Sequence, residues 1–257
     1  KHSGTRSTEV SQREIDYAVF AREAAEEGIV LLKNEGLLPL KKDTKIALLG
    51  IGAEKTIKGG TGSGDVNNRE SVSIYAGMKE KNAGIVSEEW LKDYHNRYEQ
   101  ARTEWKEQIL EAAKHVDNPF DAYAANPFAM PDGRAVTNED IKAAEAAVYV
   151  ISRISGEGKD RRKRKGDYYL SDQEEKDLYF LNEQKIPTVL IINAGGPVEL
   201  TDLLAGTENI CAILNISQLG QEGGNAVADI LFGEFTPSGK LTTTWTKRYD
   251  DCPAAEE

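Results

Sequence analysis

Four short apolar segments, each followed by a loop, constrain the fold of this chain more than any other feature of its sequence. Their bounds are residues 45–50, 147–152, 187–193 and 210–216. Apolar residues fill each segment without alternating with polar ones, which is typical of strands buried on both faces of a parallel sheet. Segments of helical character separate them, at residues 71–81, 87–115, 138–147, 171–184 and 218–232. The alternation predicts an α/β fold in which helices cover both faces of a mostly parallel sheet.

The other segments complete a single domain, which we expect to span residues 1–257. Residues 11–33 have the apolar spacing of one amphipathic helix. Residues 117–134 contain three prolines and are predicted to be irregular. Within the last helical segment, Gly223 and Gly224 predict close packing of that helix on the sheet. Residues 1–10 and 246–257 are predicted to be linkers to further domains outside this chain.

Composition argues against several classes of function. The 257 residues include 32 Lys and Arg against 43 Asp and Glu, and the formal net charge of -11 would repel nucleic acid and anionic membranes. No apolar run approaches the roughly 18 residues of a membrane span. The two cysteines and three histidines lack the spacing of a disulfide framework or a metal site, so we expect no metal and no cofactor. Nothing at the N-terminus resembles a signal peptide, which favours the cytoplasm.

The loop after the first strand is rich in glycine, and such loops are where parallel sheets bind ligands. Residues 59–65 read GGTGSGD, with Ser63 supplying a hydroxyl that can donate and accept. The loop departs from the nucleotide motifs, because Asp65 follows its last glycine and Lys55 replaces the third glycine of the dinucleotide fingerprint. A ligand-binding loop and an ordinary solvent loop explain these glycines equally well. A nucleotide-binding protein is a further alternative that rests on this loop alone.

The loop after the second strand presents a carboxylate in a glycine frame. Residues 155–161 read SGEGKDR, which places Glu157 between two glycines directly beyond a buried strand. A glutamate in this position can reach into a cleft, and a proton-donating acid needs such a placement with partial desolvation. The alternative is a solvated glutamate paired with Lys159 or Arg161.

Several motifs resemble, in order, the second domain of glycoside hydrolase family 3. The match begins with residues 21–35, AREAAEEGIVLLKNE, and includes both loops described above. It continues with GDYYL at residues 166–170 and GQEGG at 220–224, and closes with LFGEFTPSGKL at 231–241. The resemblance extends from about residue 9 to residue 245, and the most similar members are bacterial β-glucosidases.

This resemblance implies a flavodoxin-like α/β sandwich that works beside a (β/α)8 barrel. In the family's retaining mechanism, a barrel aspartate attacks the anomeric carbon, while a glutamate from the sandwich protonates the leaving oxygen and later deprotonates water. Glu157 matches that general acid/base, and Ser63 matches a residue that hydrogen-bonds the sugar in the first subsite. The implied substrate is a β-glucoside or a short β-linked oligosaccharide with a terminal β-D-glucosyl residue.

The barrel motifs are absent from these 257 residues, so the chain supplies one of the two carboxylates that a retaining glycosidase needs. We therefore expect the nucleophile to come from a (β/α)8 barrel in the same or another chain, and this chain alone to be inactive. The alternative is a non-catalytic module, derived from the same domain, that binds a sugar or a protein.

Overall fold

A six-stranded sheet organises the computed structural model, which describes residues 8–64, 66–156 and 161–253. In the order β1-β6-β5-β4-β2-β3, neighbouring strands are parallel except for β1, which is antiparallel to β6. The strands are β1 (Val30–Asn34), β2 (Lys45–Leu49), β3 (Gly84–Ile85), β4 (Ala146–Arg153), β5 (Thr188–Ala194) and β6 (Ile210–Asn215). The predicted α/β fold with a mostly parallel sheet is confirmed.

Eight α-helices connect or cover the strands in the described residues. They are α1 (Gln12–Gly28), α2 (Ile51–Glu54), α3 (Ile74–Glu80), α4 (Glu88–Ala112), α5 (Pro119–Ala125), α6 (Asp172–Glu183), α7 (Thr201–Gly206) and α8 (Gly223–Leu231). Neighbouring residues of β4 face opposite layers: Tyr149 Oη donates to Asp177 Oδ2 of α6, whereas the Val150 side chain lies against Gly52 of α2. With helices on both sides, every residue of β4 and β5 is buried, and these strands form the centre of the core.

The N-terminal helix is shorter than the sequence predicts. The predicted helix 11–33 ends at Gly28, and Val30–Asn34 instead forms the edge strand β1. Ile15 and Val19, two of the apolar residues whose spacing predicts that helix, are 49% and 56% exposed. The change of structure is favourable because β1 hydrogen-bonds to β6 and closes that side of the sheet.

Two further expectations for the segment before β4 are corrected. Residues 138–143 form successive turns rather than a helix, and residues 146–147 already belong to β4. In the turns, Asp140 accepts hydrogen bonds from Thr137 and from Arg134. Residues 117–134 are not irregular throughout, because α5 begins at Pro119. Proline is compatible with the first helical position, where its missing N–H has no intrahelical partner.

The glycine pair of α8 does not pack on the sheet as predicted, because Gly223 lies beside the Leu219 side chain and Gly224 against the start of α3. A Cβ added to Gly224 would lie 2.0 Å from the Ser73 carbonyl oxygen, at the start of α3. A Cβ added to Gly77 of α3 would lie 2.3 Å from the Gly224 carbonyl oxygen. The two helices thus meet backbone to backbone, which only glycine permits at these positions.

Candidate functional site

The loops that follow β2, β4, β5 and β6 converge at the carboxyl edge of the sheet. Asn193, buried at the end of β5, connects them. Its Nδ2 donates to the carbonyl oxygens of Ile57 (2.9 Å) and Ser217 (2.7 Å), and its Oδ1 accepts from the Ile57 N–H (2.7 Å) and from Ser152 Oγ (2.9 Å). One side chain therefore ties the loops after β2 and β6 to the ends of β4 and β5.

The glycine-rich loop after β2 pairs directly with the loop after β4. The Thr61 N–H donates to the Ser155 carbonyl oxygen at 2.9 Å, and Thr61 and Gly156 form a parallel β-bridge. Gly156 has no space for a side chain, because an added Cβ would lie 2.0 Å from Thr61 Oγ1. From the β6 side, Gln218 Nε2 donates to Ser155 Oγ at 3.4 Å. These contacts hold the chain in place up to Gly156.

The two residues predicted from sequence to form the site belong to these paired loops. Ser63 lies in a one-turn 3-10 helix, Gly62–Gly64, two residues after the Thr61 bridge. Glu157 follows Gly156 in the chain and is the first of residues 157–160, which lie outside the described residues. The structure therefore brings together the segments that carry Ser63 and precede Glu157, and the roles of both residues stay predictions.

A buried arginine stabilises the base of the loop after β4. Arg153, the last residue of β4, donates from Nη1 and Nη2 to both carboxylate oxygens of Glu174, at 2.7 and 2.6 Å. Burial opposes the charge on Arg153, but the hydrogen bonds and negative charge of Glu174 outweigh it and raise the arginine pKa. Arg153 Nη2 also donates to the Tyr169 carbonyl oxygen at 3.2 Å. The returning segment before α6 is therefore tied to the end of β4.

The C-terminal side of the same loop is anchored by Asp167. Its Oδ1 accepts from Arg161 Nε at 2.5 Å, and its Oδ2 accepts from the Arg162 N–H at 2.8 Å. Arg161 Nη1 reaches the Gly196 carbonyl oxygen, in the loop after β5, at 3.3 Å. The chain is consequently fixed on both sides of residues 157–160.

Sequence reasoning misses Asn193, Arg153 and Asp167 as determinants of this edge. Glycines and a proline make the loop after β5 look purely structural, although a buried amide at the end of an apolar strand must find hydrogen-bond partners. That requirement is the signal that points to Asn193. A charged arginine ending an apolar strand is the corresponding signal for Arg153, since a buried charge needs an opposite partner.

Two negative findings bound the chemistry of the described residues. No group of three or more His, Cys, Asp or Glu side chains there could hold a metal ion. In the same part of the chain, no helix is both long and apolar enough to cross a membrane.

Comparison with known proteins assigns the domain. Residues 29–257 match the family model described as the glycosyl hydrolase family 3 C-terminal domain. The chain is 31% identical to beta-glucosidase A of Butyrivibrio fibrisolvens over 277 aligned residues, covering 99% of this chain and 31% of that protein. It is 32% identical to the periplasmic beta-glucosidase of Salmonella typhimurium, over 91% of this chain and 29% of the relative.

Solved structures agree with this assignment. Beta-glucosidase 3B from Thermotoga neapolitana, in complex with glycerol, superposes with a TM-score of 0.75 at 38% identity. The superposition covers 93% of this chain and 32% of the Thermotoga chain. The chain thus spans about a third of the length of the proteins it matches.

Proposed function

This chain belongs to glycosyl hydrolase family 3, and on that premise we propose that it supplies the general acid/base of a retaining β-glucosidase. Glu157 is the acid/base, and Ser63 hydrogen-bonds the sugar in the first subsite. The attacking aspartate comes from a (β/α)8 barrel, in the same or another chain. The substrate is a β-glucoside or a short β-linked oligosaccharide, from which the terminal β-D-glucosyl residue is released.

The observation that supports this proposal is the pairing of two loops at the carboxyl edge of the sheet. Thr61 and Gly156 form a bridge, so the segment with Ser63 and the segment leading to Glu157 belong to one surface. Ligands of open α/β sheets bind at this edge. A sugar held by one loop therefore comes within reach of a proton donor on the other.

The roles follow from the chemistry of retention. In the first step Glu157 donates its proton to the glycosidic oxygen while the barrel aspartate attacks the anomeric carbon, and the aglycone leaves as an alcohol. In the second step the same residue, now a carboxylate, removes a proton from the water that attacks the glycosyl-enzyme. The first step needs this proton only when the leaving group is a poor one.

Leaving-group dependence in the complete enzyme tests the assignment. We expect Glu157→Ala to lower kcat/KM for an alkyl β-glucoside by about 100-fold or more, and for a dinitrophenyl β-glucoside by only a few fold. Because hydrolysis of the glycosyl-enzyme also loses its base, added azide should raise kcat and yield a β-glucosyl azide. Glu70→Ala, an exposed glutamate in the loop before α3, is the matched control and should behave as wild type.

An equal loss on both substrate classes would remove Glu157 from the acid/base role. If the complete protein hydrolysed no β-glycoside while the isolated domain bound glucose in calorimetry, the domain would be a non-catalytic sugar-binding module instead.

A further inference from the structure

The chain leaves the sheet at Arg153, and Arg161 lies on the other side of residues 157–160. Both arginines bind Asp167. Arg153 Nε donates to the Asp167 carbonyl oxygen at 2.8 Å. Arg161 Nη2 donates to that carbonyl as well, while Arg161 Nε donates to the carboxylate. Asp167 thus joins the point where the chain leaves the sheet to the point where it returns.

Asp167 is itself held rigidly. It follows Gly166, whose φ of +76° forms the turn that directs Asp167 back towards the sheet. Its partner Arg153 is only 5% exposed and is fixed by Glu174. The hydrogen bond from Arg153 to the Asp167 carbonyl oxygen therefore does not depend on the Asp167 side chain. The side chain has a separate task, because its two oxygens bind Arg161 Nε and the Arg162 N–H.

The sequence between these anchors contains the proposed general acid. Glycines stand on both sides of Glu157 at positions 156 and 158. Glycine gives the backbone more conformational freedom than any other residue. A general acid, by contrast, must be held close to the oxygen that it protonates, since a displacement of about 1 Å can cost about 100-fold in rate. The N-terminal side is fixed by the Thr61–Gly156 bridge, and the C-terminal side by Arg161.

We infer that Asp167 is a positioning residue for the acid/base loop and that it acts through Arg161. This inference rests on the proposed function of Glu157. The Arg161 side chain is 17% exposed, as is that of Asp167, and the arginine also reaches the Gly196 carbonyl oxygen. Its guanidinium group therefore connects the returning chain to Asp167 and to the loop after β5. Without the Asp167 carboxylate, Arg161 loses its charged partner and keeps only the carbonyl oxygens of Asp167 and Gly196, so the returning chain is held less firmly.

The test uses the complete enzyme, Asp167→Ala and two substrates. We expect kcat/KM for an alkyl β-glucoside to fall by about 10- to 100-fold, and kcat/KM for a dinitrophenyl β-glucoside to change by less than about threefold. For the dinitrophenyl substrate, kcat and KM should fall together, because the glycosyl-enzyme accumulates when water is poorly activated. Asp172→Ala is the matched control: Asp172 is an aspartate of the same stretch that pairs with Lys165, but 71% of its side chain is exposed.

A second variant keeps the test informative if Asp167→Ala folds poorly. Arg161→Lys retains the charge but loses the fork that binds Asp167 and Gly196 together, and should show the same substrate selectivity with a melting temperature near that of wild type. An equal loss on both substrates, or no loss in either variant, overturns the inference. Glu157→Ala measured in parallel separates the two proposals. If it is selective and the Asp167 and Arg161 variants are not, only the positioning role fails; if it is unselective, the acid/base assignment fails first.

Discussion

Arg153 and Glu174 form a bidentate ion pair that is almost fully buried, with side chains 5% and 4% exposed. Glu174 also accepts a hydrogen bond from the Ser171 N–H at 2.8 Å, and thereby completes the capping box at the start of α6. The same carboxylate therefore holds the end of β4 and the first turn of α6. Because the proposed acid/base loop begins directly after Arg153, the pair forms the base of the site.

Removing one partner of this pair should be costly. We expect Glu174→Ala to destabilise the domain by about 3–5 kcal/mol, because it leaves the Arg153 guanidinium buried without a counter-charge. In thermal unfolding this corresponds to a fall in Tm of roughly 10 °C for a domain of this size. The neighbouring Glu175, which pairs with Lys165 at the surface, is the control. Equal melting temperatures for Glu174→Ala and Glu175→Ala would contradict the importance of the buried pair.

The buried amide of Asn193 should matter for the stability of the domain. Asn193→Ala leaves the Ile57 and Ser217 backbone groups and Ser152 Oγ without their shared partner, at a cost of about 2–4 kcal/mol. Asn193→Asp is a sharper variant, since a carboxylate can accept from Ile57 but cannot donate to either carbonyl oxygen. Urea unfolding measures the stability of both variants. Asn138→Ala, at an exposed asparagine, serves as the control. A stability within about 0.5 kcal/mol of wild type for Asn193→Asp would show that donation by the amide is unimportant.

The central strands can be predicted from sequence because their residues are apolar on both faces, as burial between two layers of helices requires. The apolar pattern predicts β4 at residues 147–152, and the strand lies at Ala146–Arg153. The spacing of Ser171 and Glu174 likewise predicts the capping box that begins α6. The edge strand β1 cannot be separated from α1 in the same way. Its apolar residues continue the helical spacing, and its strand structure depends on pairing with β6, about 180 residues later in the chain.

The candidate site shows the same division between local and distant signals. Glu157 stands out because its glycines are adjacent in sequence, and the resemblance to a known family gives it a role. Asn193 does not stand out, because its partner Ile57 lies 136 residues earlier. Asp167 is visible only as part of a motif, because its contact with Arg153 forms only when the loop folds back. Hydrogen bonds of this kind depend on topology, which short-range patterns do not contain.

The contact between α3 and α8 gives a test of the glycine interpretation. Gly77→Ala should destabilise the domain by about 1–3 kcal/mol or more, because the new methyl group would lie 2.3 Å from the Gly224 carbonyl oxygen and force the helices apart. Gly28→Ala, at the end of α1, is the matched control, since the nearest atom to its added Cβ is Leu219 Cδ2 at 3.9 Å. We expect that variant to be neutral or slightly stabilising. Chemical denaturation measures the free energy of unfolding of both variants. An unchanged stability for Gly77→Ala would mean that the two helices can move apart without cost.

A carboxylate pair between α1 and α8 should make stability depend on pH. Burial raises the pKa of Glu26 to about 7, assisted by its hydrogen bond to Asp229 and by the charge of that residue. Burial opposes ionisation of Asp229 too, but hydrogen bonds from Arg22, Glu26 and Lys81 lower its pKa to about 2. The pair therefore holds one proton on Glu26 and one negative charge on Asp229 in the weakly acidic range.

The sign of the effect follows from proton binding. Between pH 4.5, the ordinary pKa of glutamate, and about pH 7, the folded protein binds more protons at Glu26 than the unfolded chain does, so stability falls as pH rises through this window. Asp229 acts in the opposite sense, and its contribution is lost only as pH falls from about 4 towards 2. We expect Glu26→Gln, which can still donate to Asp229 but does not titrate, to remove about 1–3 kcal/mol of the decline between pH 5 and pH 8. Thermal unfolding across that range measures the decline, with Glu23→Gln, an exposed glutamate of the same helix, as the control. A pH dependence that is the same in wild type and Glu26→Gln would exclude a shared proton at this pair.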